Sequence, residues 1–438
     1  MEKPSYLYEI DEHPTLAYAI IYGLQWAFIA FPTAIIATSI CGAALDLDLK
    51  GALRFLQLTL LTTGLYTFVQ TLWGHRYPLL EGPSTAVMLT LIFLVPYGLP
   101  AIQGGTIIGG ILLIVIVCSK QLERMIRLFT PNVVGVILML IAFGLLPPLL
   151  RFLTGVDDVH PQGEALTMMI SLSLVLFIAA LSYRLKGFWK TISILLGMIV
   201  GSLVFLLLGR LDWQALVSAT WVSFSMGWVK SPPGFYWPAA IAFVCAYLAV
   251  IVNSLGSIQG IAAITDKERL PRSIRRGILI NGIAGISCGL LGVAGTVSYS
   301  ISPGVILVNR VASRYAVTYC GIILLMAAFF PKLAALLALV PIPVVGAALC
   351  VAMGGQVGAG IAIIASKELS PRDYFVVGLP LLLGTMVGFF PRSLFDTMPE
   401  FSQVFLGNSL IVGIVTVLLM EHLLWRENAR PSDFHLTK

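Results

Sequence analysis

The chain has 438 residues, of which 58% are hydrophobic and 11% are Asp, Glu, Lys or Arg, with a formal net charge of +6. Soluble globular domains carry roughly 25% charged residues, so this composition excludes a water-soluble fold and points to an all-α membrane protein. Cys41, Cys118, Cys245, Cys288, Cys320 and Cys350 lie in or beside apolar segments without metal-type spacing, and the acidic start MEKPSYLYEIDEHPT has no basic n-region, so no cleaved leader is expected.

Apolar runs between charged or Pro/Gly-marked breaks predict fourteen transmembrane segments, at 16–38, 52–73, 84–97, 105–118, 131–150, 164–182, 189–208, 236–263, 272–291, 301–311, 315–338, 342–364, 372–391 and 404–425. With both termini on the cytoplasmic side, 20 of the 27 Lys and Arg residues fall inside. That asymmetry fits the positive-inside rule, and it makes the positive charge a topogenic signal for an inner or plasma membrane rather than a nucleic-acid surface.

In the first span, Gln25 places an amide at mid-depth, where it needs a partner on a neighbouring helix or on a ligand. The short third span follows Glu81-Gly82-Pro83-Ser84-Thr85. An acid at membrane depth costs about 2.5 to 3.5 kcal/mol on insertion scales and therefore reads as functional by default. Glu81 is accordingly a candidate substrate ligand and the coupling candidate; the plainer alternative is a partly solvated mouth residue paired with His75 or Arg76. Asn253 lies in the middle of the charge-free eighth span, with Ser257 and Gln259 nearby as packing polar residues.

The short tenth span follows a second Gly/Ser/Thr/Pro-rich stretch, Gly295 to Gly304, which contains Tyr299, Ser300, Ile301 and Ser302. The two short spans stand third in each set of seven. Pro/Gly-interrupted segments at matching places in two halves point to a transporter site built on inverted repeats. The expected fold is therefore two inverted 7-segment repeats, with broken third and tenth helices preceded by short extended stretches. Non-helical backbone at membrane depth must find partners in protein, water or ligand, and the half-helices that follow aim their positive ends inward.

At Tyr299 to Arg310, the run YSISPGVILVNR resembles the signature of the nucleobase–ascorbate transporter family, which includes bacterial uracil and xanthine permeases; Gly304 and Arg310 match it. Gln25, Gly82-Pro83-Ser84-Thr85-Ala86, Asn281-Gly282 and Ser370-Pro371-Arg372 also resemble family positions, in order and spacing. The resemblance implies a core domain (16–130 and 236–340) and a gate domain (131–208 and 341–425). A linker at 209–235 lies outside the membrane, and the ends at 1–15 and 426–438 are cytoplasmic. It also implies a solute held between the broken helices, elevator-type movement of core against gate, a homodimer, and coupling to H+ or Na+.

Asn253 stands where the family usually carries Glu, Ile301 at its second acidic position, Ser302 at the following Asn, and Trp26 where His is common. An amide offers one acceptor and one donor face where a carboxylate offers only acceptors, and loss of both acids opens the way to uncoupled, facilitated movement. The function expected is a permease for a nucleobase-like solute such as xanthine, uracil or urate. The substrate-binding candidates are Gln25, Glu81, Ser84, Thr85, Asn253, Ser257, Tyr299, Ser300, Ile301 and Ser302. A small-anion transporter of the sulfate-permease-like fold is the alternative. No HExxH, nucleophile set or phosphate loop suggests an enzyme, and no cofactor or metal is expected.

Overall fold

The computed structural model describes residues 6–119, 121–156, 160–211, 213–223, 232–391, 394 and 397–425. Residues 1–5 of the predicted N-terminal end at 1–15 and the whole predicted tail at 426–438 lie outside the described residues, as does part of the linker. The first half contains α1 (Leu16–Ala44), α2 (Leu49–Leu72), β1 (Glu81–Pro83), α3 (Thr85–Leu94), α4 (Leu99–Cys118), α5 (Leu122–Ile126), α6 (Pro131–Gly144), α7 (Leu146–Thr154), α8 (Ala165–Arg184), α9 (Gly187–Thr191) and α10 (Ser193–Leu207). After α11 (Gln214–Ser218) come α12 (Trp237–Ile264), α13 (Leu270–Leu291), β2 (Thr296–Ser298), α14 (Ser302–Asn309), α15 (Arg314–Ala328), α16 (Pro331–Ala338), α17 (Ile342–Ile364) and α18 (Pro371–Val387). Helices at Glu400–Gly407 and Ser409–Leu419 follow, and a wider helical turn at Met420–Leu424 closes the described chain.

Among the described residues, eight helices are long and apolar enough to cross a membrane, or nine if α15 and α16, bent by 95° at their junction, form one span. Shorter apolar helices run over Thr85–Tyr97, Ser193–Leu207 and Ser409–Leu424. Local chemistry sets the ends. Asp48 caps α2 by accepting from the Gly51 amide at 2.8 Å. Gly292 ends α13 in the left-handed conformation at φ 68°. Pro331 starts α16 at the position where a missing N–H costs nothing, and the single run predicted at 315–338 becomes two helices there.

Packing joins the two halves. α2 and α1 pack on α15, α4 packs on α13 and α12, and α6 packs on α17. Two of these crossings depend on bare glycine backbone: a Cβ on Gly64 would lie 2.6 Å from the Leu325 nitrogen and 2.8 Å from the Gly321 oxygen. A Cβ on Gly110 would lie 2.6 Å from the Gly282 oxygen. Close backbone approach through small residues is the usual way membrane helices gain contact where lipid supplies no hydrophobic drive.

The two extended stretches predicted before the third and tenth spans are present, and they pair with each other. β1 and β2 run antiparallel in the register Glu81 to Ser298, Gly82 to Val297 and Pro83 to Thr296. The helices they lead into begin at Thr85 and Ser302, within a residue of the sequence reading. The pairing satisfies backbone groups that would otherwise be stranded at membrane depth.

The N-terminal segment is tied to the strand-like link after α14. The Leu7 amide donates to the Arg310 carbonyl at 2.7 Å, Ala312 to Tyr8 at 2.9 Å and Arg314 to Ile10 at 3.0 Å. Asp11 then bridges two basic side chains, accepting from Arg314 Nε at 2.7 Å and from Arg269 Nη2 at 2.7 Å.

Candidate functional site

The β1–β2 pair is the centre from which the site is built. Glu81, at the head of β1, is fully buried, so it is not the solvated mouth residue that was its plainer reading. Its backbone amide donates to Thr67 Oγ1 at 3.1 Å, and Ser298 Oγ donates to its Oε1. His75, also fully buried, places Nε2 3.6 Å from the same Oε1. The Tyr77 amide donates to His75 Nδ1 at 3.0 Å, which assigns the ring proton to Nε2, the nitrogen facing Glu81. Glu81 Oε2 and His75 Nε2 have no hydrogen-bond partner among the described residues.

A second set of polar groups lies on the other side of β2. Ser257, on α12, donates to the Ser298 carbonyl at 2.7 Å and is 2.8 Å from Ser300 Oγ. Ser300 Oγ is also 3.1 Å from Asn253 Oδ1. Asn253 and Ser300 are accessible, and the neighbouring turn of α12 is open, because a Cβ on Gly256 would meet nothing within 4 Å. A Cβ on Gly304, the third residue of α14, would likewise meet nothing within 4 Å, and one on Gly260 would lie 3.4 Å from the Pro303 ring. The amide and hydroxyls can thus present both donors and acceptors to a polar, flat solute.

The remaining predicted residues divide by surroundings. Ser84 caps α3 by accepting from the Val87 amide at 3.5 Å, and its own amide donates to the Gly295 carbonyl at 2.8 Å. Thr85 is half-buried at the first turn of α3. Tyr299 donates its hydroxyl to the Pro83 carbonyl at 3.2 Å and lies against Gly82, where an added Cβ would come within 2.4 Å of the end of the ring. Ser302 is buried, and its hydroxyl accepts from the Leu80 amide at 3.2 Å, so it holds the strand pair. Ile301 is 46% exposed and carries no polar group to replace the acid its position suggests. Gln25 is buried on α1, which packs on β1 and α3, and its Nε2 has no partner among the described residues.

Sequence reasoning missed the buried network behind Glu81. Gln70 on α2 donates to Asn281 Oδ1 at 2.6 Å and to the Gly277 carbonyl at 2.9 Å, and its Oε1 accepts from the His75 amide at 3.3 Å. Asn281 in turn donates to Ser254 Oγ at 2.6 Å. Ser254 and Ser257 are both on α12, so hydrogen bonds and the His75–Glu81 contact make a ring through α12, α13, α2, β1 and β2. The signal available was a pair of amides in apolar spans, Asn281 in the middle of its span and Gln70 near the end of its own, that each needed a partner.

Residues 17–393 match the Permease family (Xan_ur_permease). The chain is 27% identical over 430 residues to the uric acid permease PucK of Bacillus subtilis, covering 97% of this chain and 99% of that protein. It is 27% identical to the nucleobase transporter PlUacP of Paenibacillus larvae, covering 94% and 96%. Among solved structures, the transmembrane domain of a cyanobacterium bicarbonate transporter, BicA, superposes with a TM-score of 0.59 at 14% identity, covering 93% of this chain and 99% of that one. Murine Slc26a9, an anion transporter in the inward-facing state, gives a TM-score of 0.59 at 11% identity, covering 94% and 68%.

Proposed function

The chain belongs to the Permease family, and on that premise we propose that it is a secondary transporter for a nucleobase-like solute such as xanthine, uracil or urate, working by elevator-type alternating access. The observation that carries the reading is the meeting of two broken helices at one strand pair, with Asn253 and Ser300 open to a solute beside it. Relatives over nearly the whole chain are named for uric acid and for nucleobases, which favours that solute class. The likeness to bicarbonate and anion transporters is one of fold and adds no weight to an anion.

Adding α14 and α18 to the long helices, the bent pair and the three shorter apolar helices makes fourteen segments in the proposed count. An inverted repeat is supported by the packing. A shift of seven segments turns α2 into α13 and α15 into α4, so the α2–α15 contact recurs as α13–α4, and α1–α15 as α12–α4. The glycine crossings obey the same shift: Gly64 and Gly321 on one side correspond to Gly282 and Gly110 on the other.

Core and gate are each clasped internally. Asp11 of the N-terminal segment ties Arg269 and Arg314 of the core together, whereas Arg372 with Glu421 at 3.0 Å and Lys367 with Asp373 at 3.0 Å lie within the gate. Two separately clasped bodies suit relative movement. Weakly buried α8 and α17 leave gate surface for lipid or a second copy of the chain. The protein is multi-pass in the plasma membrane, and both termini are proposed to be cytoplasmic. In this scheme Asn253, Ser257 and Ser300 bind the solute and Gln25, Ser84, Thr85 and Tyr299 border it. Ile301 and Ser302 belong to the frame, and Glu81 is the coupling group.

A thermal-shift screen of purified protein against uracil, xanthine, uric acid, hypoxanthine, bicarbonate and sulfate tests the reading. A ligand in about 100-fold excess over Kd stabilises the folded state by about 2.7 kcal/mol. A shift with a base that Asn253→Ala abolishes is expected. A shift with bicarbonate or sulfate alone would replace the proposal with the anion carrier.

A further inference from the structure

We infer that His75 and Glu81 form a proton-binding site, with the proton held on Glu81 Oε2, and that this site is the coupling element of the transporter. The inference deepens the proposed function and rests on it only for the coupling half.

The argument starts from two buried atoms. Glu81 Oε2 and His75 Nε2 belong to fully buried side chains and have no hydrogen-bond partner among the described residues. A buried carboxylate needs pairing or several donors, yet Glu81 has one hydroxyl, from Ser298, and an imidazole N–H 3.6 Å away. That leaves Oε2 bare. Protonation there converts the charged group to a neutral acid: the Oε2 lone pair takes the proton, a new O–H bond forms, and no other bond breaks. His75 cannot take it instead, since Nδ1 already accepts from the Tyr77 amide.

The donor set distinguishes a proton from a metal cation. Sodium-like ions need a cage of oxygens, whereas here the Ser298 hydroxyl already donates to Oε1 and the ring group facing the carboxyl is the His75 N–H, whose positive end repels a cation. Among the described residues no group of three or more His, Cys, Asp or Glu could hold a metal. The other titratable and charged groups around the pair point away or are already bonded. Tyr299 donates to Pro83, Tyr77 donates its hydroxyl to the Asp266 carbonyl at 2.6 Å, and Arg314 donates to the Thr71 carbonyl at 2.8 Å. Arg269 reaches the Arg76 carbonyl at 3.4 Å, and the Arg76 side chain is exposed.

The path to the solute is short. Ser298 touches Glu81 through its hydroxyl and Ser257 through its carbonyl, and Ser257 leads to Ser300 and Asn253. Loading or emptying the carboxyl therefore acts on the strand that supports the solute-binding hydroxyls.

Two measurements test this separately. Infrared pH titration of purified protein should show a carboxylic-acid C=O band that Glu81→Gln removes and that His75→Asn shifts, the Asn being able to keep the Tyr77 bond. A spectrum unchanged by Glu81→Gln would overturn the proton site whatever the solute. In proteoliposomes, radiolabelled xanthine and uric acid are followed in exchange and in accumulation driven by an inward proton gradient. Wild type should do both, while in Glu81→Gln gradient-driven accumulation should fall relative to whatever exchange remains, and proton influx should be lost. Wild-type exchange without gradient-driven accumulation, or accumulation retained in Glu81→Gln, would overturn the coupling role. No exchange of any base would instead sink the proposed function and its coupling half, leaving the infrared result to decide the proton site.

Discussion

Glu81 and Ser298, 217 residues apart in the chain, face each other across the β1–β2 pair and are joined again by a hydrogen bond from the serine hydroxyl to the carboxylate. The strand register and the side-chain bond fix the same geometry twice. Any change at one residue is therefore felt at the other, and through the Ser298 carbonyl at Ser257.

Removing the Ser300 hydroxyl should weaken solute binding. A neutral hydrogen bond contributes about 0.5 to 1.5 kcal/mol, so Ser300→Ala is expected to raise Kd several-fold, against a larger loss for Asn253→Ala. Isothermal titration with the base that gives a thermal shift checks the order of the two effects.

Gln70 is the hub of the buried network, and Gln70→Leu would leave the Asn281 side-chain oxygen without its donor and the His75 amide without its acceptor. Each stranded buried group costs about 1 to 3 kcal/mol. Thermal unfolding in detergent should show a clear loss, while Gln259→Leu, at an exposed position of α12, should leave the midpoint nearly unchanged.

Glycine crossings make a steric prediction. Gly64→Ala and Gly110→Ala each drive a methyl into backbone of the facing helix, and overpacking of this kind costs about 1 to 3 kcal/mol. Gly42→Ala on α1 meets nothing within 4 Å and serves as the control. The expected outcome is a lowered melting temperature for the first two and none for the third.

How much of this was legible beforehand follows from the range of each interaction. The broken helices were visible because Gly82, Pro83 and Pro303 carry their backbone preferences locally. The bend at Pro331 was equally local, but the apolar run through it hid the signal. The pairing of β1 with β2 depends on which distant elements meet, and hydropathy has no term for that. His75 was named as a possible partner of Glu81, but within a partly solvated mouth, whereas the loop that carries it folds inward and buries both side chains.

Acid should loosen the clasp of the N-terminal segment. The hydrogen bond from Arg269, opposed by partial burial and reinforced by Arg314, holds the Asp11 carboxyl down at about 2, below its ordinary value of 3.8. A folded-state value below the unfolded one means that the stabilisation is present above about pH 4 and is lost as pH falls toward 2. Asp11 is half-exposed, so the effect is under about 1 kcal/mol. Limited proteolysis of the N-terminal segment should increase across that window in wild type and already be raised at neutral pH in Asp11→Asn.

The strand pair also has an evolutionary consequence. Each half of the chain supplies one edge of a three-residue ladder, so neither half holds a complete binding site by itself. Selection for a new cargo must act on two distant stretches of gene together, and replacements near Glu81 should travel through descent with compensating ones near Ser298.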